Sequence, residues 1–260
     1  MMFLPDGTIE AFGLFMTRTS ALVLAAPLLG SSTSFTGAKI GVVGILSVVL
    51  YSAGGDPLGY SPGIFEYALM IAREIGIGLF LAFILQLVML AVRVAGVMVG
   101  HQMSFNMANL VDPNSGTQTP VIAFFYETLF ILALLAADAH LWLIRALDAS
   151  YRRVPIGGMN WNTNTPEAVL DMFAQLFSAG LTFAAPVMLL LSIVSLVMGL
   201  LVRVVPQINV IEFGFNLRVL GGLVSLLVFA PWIQPASDHL LDVLMDNLNA
   251  GLDALEVTSG

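Results

Sequence analysis

A chain of 260 residues is long enough for one or two soluble domains, but 58% of its residues are hydrophobic and only 10% are charged. Soluble proteins average about 25% charged residues, so the composition indicates an integral membrane protein. The net charge of −8, with Lys39 the only lysine, argues against a nucleic-acid partner. The absence of cysteine excludes a disulfide framework and a thiolate metal site. No basic residue precedes an apolar core at the N-terminus, so we expect no cleavable signal peptide.

The N-terminal part, residues 1–63, is predicted to be a helical hairpin. A first spanning helix covers about Ala11 to Gly30, with Arg18 near its middle. An arginine at that depth costs about 2.5–3.5 kcal/mol, so Arg18 is expected either to face protein, water or a partner carboxylate, or to extend to the interface. A second apolar run, Lys39 to Tyr51, is short for a perpendicular span.

The run from Ile64 to Gly100 has no strong helix breaker. As one helix it would be about 55 Å long at 1.5 Å per residue, whereas the hydrocarbon core is about 30 Å thick. Either the helix projects from the bilayer or it is broken inside a protein assembly. Arg73 and Glu74 are adjacent, so they point to different faces and are not a mutual pair. Gly96 and Gly100 have the GxxxG spacing that suits close helix approach.

A polar, turn-forming stretch from Arg93 to Pro120 then separates the two most apolar regions of the chain. The segment Asp112 to Gly116 cannot continue a helix, because proline restricts the residue before it and Asn, Ser and Gly favour turns. At membrane depth an irregular backbone is tolerated only where protein buries it or it lines a water-filled cavity. The stretch therefore reads as a pore or cavity element. The alternative is an ordinary loop between two spanning helices, against which bulky apolar residues such as Phe105 and Met107 argue.

The central part continues with a predicted spanning helix from Val121 to Ala149. Asp138 and His140 are two positions apart and do not face each other on a helix, so we interpret them as a helix end at the membrane interface. A second over-long apolar run extends from Glu167 to Val202, and Pro186 within it is predicted to kink or break the helix.

A second polar break lies at Arg203 to Val210. Arg203 or Arg218 pairs with Glu212, or else both anchor helix ends at the interface. Beyond Pro235 a final amphipathic helix is predicted. Its N-cap is Ser237, its apolar positions are Leu241, Leu244, Leu248, Leu252 and Leu255, and its other faces carry Asp238, Asp242, Asp246 and Asp253. Because its charge is acidic, a protein partner suits this helix better than an anionic lipid surface.

Over essentially its whole length the chain resembles the FliR family of the bacterial flagellar export apparatus, which is related to the SctT family of virulence type III secretion systems. Two blocks carry the resemblance. The first comprises Ala91 to Gly96, Gly100, Gln102, Met103 and Val111 to Pro113, followed by His140 and Pro155. The second comprises Arg203, Pro206, Gln207, Asn209, Val210, Gly214 and Phe215. Within these blocks the resemblance assigns structural or assembly roles to Arg93, Gly96, Gly100, Gln102, Arg203, Pro206, Gln207, Asn209 and Gly214.

The resemblance implies an all-α integral membrane subunit of long, broken helical hairpins, like a FliP-like and a FliQ-like portion joined in one chain. One copy would assemble with FliP-family and FliQ-family subunits, contact the FlhB and FlhA families, and pass unfolded export substrates through the bacterial inner membrane at the flagellar basal body. Four successive parts are expected: residues 1–63, 64–166 with a pore loop at 104–120, 167–235 and 236–260. The plug segment matches Phe105 to Thr119 and includes Phe105, Asn106, Met107, Asn109, Leu110, Asp112 and Pro113.

Three positions depart from the family pattern. Val97 stands where an acidic residue is expected, Ser104 where glycine is usual, and Asn216 where proline is common. The charge missing at Val97 removes any family role for that position.

Three alternative functions remain open at this point. A virulence injectisome gate subunit has the same architecture. A small-solute secondary transporter would need similar interruptions in two similar halves. A membrane enzyme is the weakest alternative, since HExxH and GxSxG motifs are missing and only His101, His140 and His239 are present. We predict no enzymatic activity, no cofactor and no metal.

Overall fold

The computed structural model describes residues 5–26, 36–105, 120–158, 165–205 and 210–255. These residues form helices and no strands. In chain order the helices are α1 (Thr8–Ala25), α2 (Thr36–Gly54), α3 (Ile64–Gln102), α4 (Val121–Ala136), α5 (Ala139–Arg153), α6 (Thr165–Val204) and α7 (Val210–Leu255). The predicted all-α fold is confirmed.

Five of the described helices are long and apolar enough to cross a membrane. They are α1, α2, α3, α6 and α7, and the bent pair α4 and α5 raises the number to six if the pair forms one span. Many of their apolar side chains are exposed, including Leu189, Leu196 and Leu227 at 65%, 65% and 76%. Exposed leucines on this scale suit lipid or neighbouring subunits and do not suit water. The chain is an integral membrane protein.

Several helices are longer than the sequence pattern predicted. The second helix was expected to be too short to span, but α2 has 19 residues because its small flanking residues join it. The α3 helix is continuous over 39 residues. The α6 helix has 40 residues and continues through Pro186, so this proline does not end it. The predicted polar break is confirmed, since α6 ends at Val204 and α7 begins at Val210.

Two predicted helix boundaries are wrong. No new helix begins after Pro235, because α7 runs for 46 residues through Pro231 and Pro235. Ser237 is therefore no N-cap, and its hydroxyl donates to the Ile233 carbonyl one turn back (2.8 Å). The single helix predicted from Val121 to Ala149 is divided between α4 and α5, because Asp138 adopts a left-handed conformation (φ 53°).

The final amphipathic pattern is confirmed within α7. Of the predicted apolar positions, Leu244, Leu248, Leu252 and Leu255 are buried and Leu241 is half-buried, whereas Asp238, Asp242, Asp246 and Asp253 are exposed. Arg153 donates to one of these carboxylates, that of Asp253 (2.7 Å).

The chain divides into two compact units. Unit 1 comprises residues 1–87, 139–173 and 244–260, and unit 2 comprises residues 88–138 and 174–243. In unit 1, α1 packs against α2, where Tyr51 makes edge contacts with Phe12 and Phe15. In unit 2, small residues bring helices together, since a Cβ on Gly180 of α6 would meet Ala91 of α3 at 2.8 Å. The division into four successive parts stays a prediction.

Candidate functional site

The predicted plug loop is flanked by α3 and α4, which pack closely in unit 2. A Cβ added at Gly96 would lie 2.5 Å from the Cα of Ala123, and one at Gly100 would lie 3.4 Å from Ile122. Seven residues before Gly100, Arg93 pairs with Glu127. As the residue number rises along α3, the partner's number falls along α4. The two helices therefore form an antiparallel stem with glycine at its points of closest approach.

The stem places the two ends of the predicted plug together. Phe105 follows α3 and Pro120 precedes α4, so the intervening segment leaves and returns at one end of the stem. Phe105 is half-buried in the turn after α3. The other predicted plug residues lie outside the described residues: Asn106, Met107, Asn109, Leu110, Asp112 and Pro113.

The predicted assembly residues fall into distinct groups. Arg93, Gly96 and Gly100 share one face of α3, because they are three and four positions apart, and all three contact α4. Arg203 is exposed near the end of α6. Gly214 of α7 faces α6, since a Cβ added at position 214 would lie 3.4 Å from the Cε of Met198. Pro206, Gln207 and Asn209 lie outside the described residues.

The end of α3 carries polar atoms that the stem does not satisfy. Among the residues that the structure describes, the buried side-chain Oε1 of Gln102 accepts no hydrogen bond, and the buried Nε of Arg218 of α7 donates none. Such groups are uncommon in folded proteins, since each forfeits its hydration without a replacement. Both lie in unit 2 with the predicted plug, so the base of the loop retains hydrogen-bonding capacity.

A second polar cluster lies in unit 1 around Arg18 and Glu74, both fully buried. The guanidinium Nε donates to Glu74 Oε2 at 2.5 Å and Nη2 donates to Oε1 at 3.1 Å, which gives a bidentate pair. The remaining N–H groups donate to the carbonyls of Ser150 (2.9 Å) and Val154 (3.1 Å). The Tyr151 ring lies 4.5 Å from the guanidinium carbon. Of the environments expected for Arg18, the structure shows a partner carboxylate inside the protein, and the alternative that Arg18 extends to the interface is wrong.

Glu74 and its neighbour Arg73 also hold the turn that follows α5. The Gly157 N–H donates to Glu74 Oε1 (2.9 Å), and the Gly157 carbonyl accepts from Arg73 Nη1 (2.8 Å). Gly157 has a φ of 73°, and a Cβ there would lie 3.2 Å from Met70, so glycine is required. Arg73 and Glu74 are thus not a mutual pair, as predicted, and instead they hold the carbonyl and the N–H of the same residue, Gly157.

Sequence reasoning missed the roles of Glu74, Ser150 and Gly157. A fully buried arginine calls for several oxygens, but the candidates lie 56 and 132 positions away along the chain. The Pro155-Ile156-Gly157-Gly158 turn was the available signal. It marked a turn without indicating what the turn contacts.

Two residues of the segment before α3, Tyr60 and Ser61, donate hydrogen bonds to glutamates in the first turns of α3 and α1. Ser61 donates to Glu10 Oε1 (3.2 Å), and Tyr60 donates to Glu66 Oε1 (2.9 Å). The hydrogen bond to Glu66 raises the pKa of Tyr60, because ionised Tyr60 would lose that bond and face a carboxylate.

Open, mostly apolar cavities lie in the described part of unit 2. One of about 300 Å³ is lined by residues including Tyr126, Phe183, Pro186 and Trp232. Another of about 570 Å³ lies between α4 and α7 and has Gln234 as its polar lining residue. Within the described ranges no group of three or more His, Asp or Glu side chains is arranged to hold a metal. These cavities offer apolar contact surface and no arrangement of catalytic groups.

Comparison with known proteins gives consistent matches over most of the chain. The sequence profile of the family described as "Bacterial export proteins, family 1" matches residues 9–244. The flagellar biosynthetic protein FliR of Escherichia coli K12 is 32% identical over 234 residues, which cover 90% of this chain and 89% of that protein. FliR of Pectobacterium carotovorum is 33% identical, covering 89% of this chain and 88% of that protein.

A similarity to a protein of a different name is also present. The surface presentation of antigens protein SpaR of Shigella sonnei is 24% identical over 213 residues, covering 82% of this chain and 81% of that protein. The match is lower in identity than the matches to the two FliR proteins, but it also extends over most of both chains.

Proposed function

Because this chain belongs to the bacterial export proteins, family 1, we propose that it is the export-gate channel subunit of the flagellar type III secretion apparatus. It passes unfolded flagellar proteins through the bacterial inner membrane at the basal body. The segment from Phe105 to Thr119 plugs the channel in the closed state. The role is structural and involves no enzymatic reaction and no cofactor.

The observation that carries the plug role is the stem of α3 and α4. Gly96 lets the helices approach until an added Cβ would overlap the Ala123 backbone. A loop held at both ends by such a stem projects from one point. The segment Asp112 to Gly116 is expected from its sequence not to continue a helix, so the plug can be displaced without unravelling either helix of the stem. That is the mechanical requirement for a removable obstruction in a pore.

The partners belong to the same proposal. One copy of this chain assembles with several FliP-family and FliQ-family subunits and contacts FlhB-family and FlhA-family proteins. The exposed apolar side chains of α6, including Leu189, Ile193, Leu196 and Leu200, are suited to such neighbours. They recur every three or four residues and so form one face of the helix. Lipid covers the apolar surface that no subunit covers.

An injectisome gate subunit is the second candidate, and the similarity to SpaR favours it. The two readings share the plug and the assembly and differ in the exported proteins. Complementation decides between them: the flagellar reading expects restored motility in a strain that lacks its own FliR, and the injectisome reading expects restored secretion in a strain that lacks SpaR.

Deletion of Asn106 to Gly116 tests the plug. The stem remains intact, because Arg93, Gly96 and Gly100 and their contacts on α4 are retained. We expect the assembled complex to leak ions in its closed state, measured as loss of membrane potential in cells that carry all partner subunits. A matched variant replaces the same residues with a Gly-Ser segment of equal length.

The two variants distinguish bulk from length. If bulky side chains obstruct the pore, the Gly-Ser variant leaks as the deletion does. Unchanged closed-state conductance in both variants, at equal amounts of assembled complex, would refute the plug.

A further inference from the structure

The α3 helix ends in a specific turn from which the predicted plug departs. The Phe105 N–H donates to the Gly100 carbonyl (3.2 Å) and the Ser104 N–H donates to the His101 carbonyl (3.0 Å). This is the Schellman arrangement, in which the residue after the helix adopts a left-handed conformation. Ser104 occupies that position with φ 63°. Glycine suits it better, because the Cβ of an L-residue is disfavoured there.

The serine at this position makes a contact that glycine cannot make. Arg218 of α7 donates from Nη1 to Ser104 Oγ at 3.2 Å. The preceding residue, Met103, is fully buried, and it packs where Gly222 leaves space, since a Cβ at position 222 would lie 2.6 Å from the Met103 sulfur. Arg218 and Gly222 are four positions apart and share one face of α7. Two successive residues at the end of α3 therefore dock on successive turns of one helix face.

Arg218 is half-buried and has no carboxylate partner among the described residues. Its buried Nε donates no hydrogen bond within the described structure, and its described hydrogen bond goes to the hydroxyl of Ser104. Because the guanidinium is charged, this bond is stronger than one between two neutral groups, but it lacks the two parallel bonds that a carboxylate would give. The contact with Ser104 therefore orients the turn through one charge-assisted hydrogen bond.

We propose that Arg218 is a positioning residue for the plug: by holding Ser104, it fixes the point and direction in which the loop leaves α3 in the closed state. This inference rests on the proposed plug function. Arg218 acts through Ser104 and does not itself obstruct the pore.

The test compares Ser104→Gly, Arg218→Met and the double variant in the assembled complex, with closed-state ion leakage measured per complex. We expect each single substitution to raise leakage several-fold. The double variant should leak no more than the leakier single variant, because both changes remove one hydrogen bond. Arg218→Lys should restore part of the seal, since an ammonium group can donate to the same hydroxyl.

Ser104→Gly is the decisive variant because it separates positioning from stability. Glycine relieves the left-handed conformation, so a role of Ser104 in the turn alone predicts equal or lower leakage. The matched control is Ser192→Ala in α6, which removes an exposed hydroxyl that donates to the Met188 carbonyl and should leave leakage unchanged. If Arg218→Met fails to assemble, Ser104→Gly still decides the question.

The outcomes also separate this inference from the proposed function. Deletion of Asn106 to Gly116 is included as the positive control. If the deletion leaks while Ser104→Gly stays sealed, the positioning role of Arg218 is overturned and the plug stands. If the deletion itself stays sealed, the plug function fails and the positioning role fails with it.

Discussion

Two arginines, one fully buried and one half-buried, are held in different ways. Arg18 of α1 has a bidentate carboxylate and two further carbonyl acceptors. Arg218 of α7 has a hydroxyl partner and a buried Nε that donates to nothing in the described structure. Movement of Arg18 would break several charge-assisted bonds at once. Movement of Arg218 would break one described hydrogen bond.

The Arg18 site yields a prediction about stability. Glu74→Gln keeps the side-chain shape but removes the negative charge, and Arg18 is then a buried charge without its counter-ion. Breaking one partner of a buried pair costs about 3–5 kcal/mol, so we expect a large fall in the thermal unfolding midpoint in detergent.

The control for this prediction is Asp148→Asn. Asp148 pairs with Arg152 at 2.8 Å, but the side chains are 37% and 77% exposed. Solvent screens such a pair, so its loss costs about 0.5 kcal/mol or less. Equal effects of the two substitutions would contradict the view that the buried pair of Arg18 and Glu74 stabilises unit 1 more than an exposed pair does.

At position 104, the residue present does not suit the backbone conformation but makes a specific side-chain contact. The residue type that suits a left-handed turn is glycine, and the family resemblance also expected glycine there. Serine is present, and its hydroxyl meets Arg218. A departure from local preference that gains a specific contact is a common sign of a functional position.

At the scale of helices, the packing of unit 2 depends on residues without side chains. Gly96 of α3 lies against α4. Gly180 of α6 lies against α3, and Gly222 of α7 lies against Met103 at the end of α3. Association of helices in membranes relies on close van der Waals contact, since lipid provides no hydrophobic drive for it. Small residues at these three points make that contact available.

Gly96→Ala tests this packing. The added methyl group would lie 2.5–3.2 Å from the backbone and Cβ of Ala123, so α4 must shift. Overpacking of this kind typically costs about 1–3 kcal/mol. We expect a lower unfolding midpoint and, because the stem holds the predicted plug, increased closed-state leakage.

Gly199→Ala in α6 is the matched control. No atom lies within 4 Å of a Cβ at position 199, and alanine favours the helix over glycine by up to about 1 kcal/mol. The variant should therefore be as stable as the parent or more so. If Gly96→Ala behaved like this control, the close stem would not be the feature that matters.

At the scale of the whole molecule, the exposed apolar surface requires lipid or neighbouring subunits to cover it. Large apolar side chains are exposed along α2, α6 and α7, with Val204, Leu227 and Trp232 at 78%, 76% and 66%. Lipid can cover the exposed apolar side chains of any of these helices. An acidic, exposed face on α7, by contrast, calls for water or a protein partner.

Assembly gives the prediction at this scale. Co-expression with FliP-family and FliQ-family subunits should yield one complex, whose mass measured intact in detergent contains one copy of this chain. Expressed alone, the chain should be recovered in lower amount, because its subunit-facing surface lacks its partners. A complex with several copies of this chain would contradict the proposed architecture, and stable solute transport by the isolated chain in liposomes would favour the transporter instead.

Composition and local pattern were sufficient for much of this protein. They identify an all-α membrane chain, the unusual position of Arg18 within a spanning helix, the polar break after Val204 and the amphipathic end of α7. These properties depend on the burial of single residues and on contacts within one or two helical turns, which the order of residues specifies directly. The resemblance to a family added the proposed plug, which composition alone left as a cavity element or a plain loop.

The tertiary arrangement decided which groups meet. Glu74 lies 56 positions from Arg18, and Ser104 lies 114 positions from Arg218. Many packings of seven helices would bury the same apolar faces, so the local pattern does not choose among them. The path of α7 through Pro231 and Pro235 was also missed. A proline disfavours a helix interior wherever it occurs, but the packing of the surrounding helices decides whether the helix continues through it. Partner choice is a property of helix packing, and it exists only once the helices are assembled.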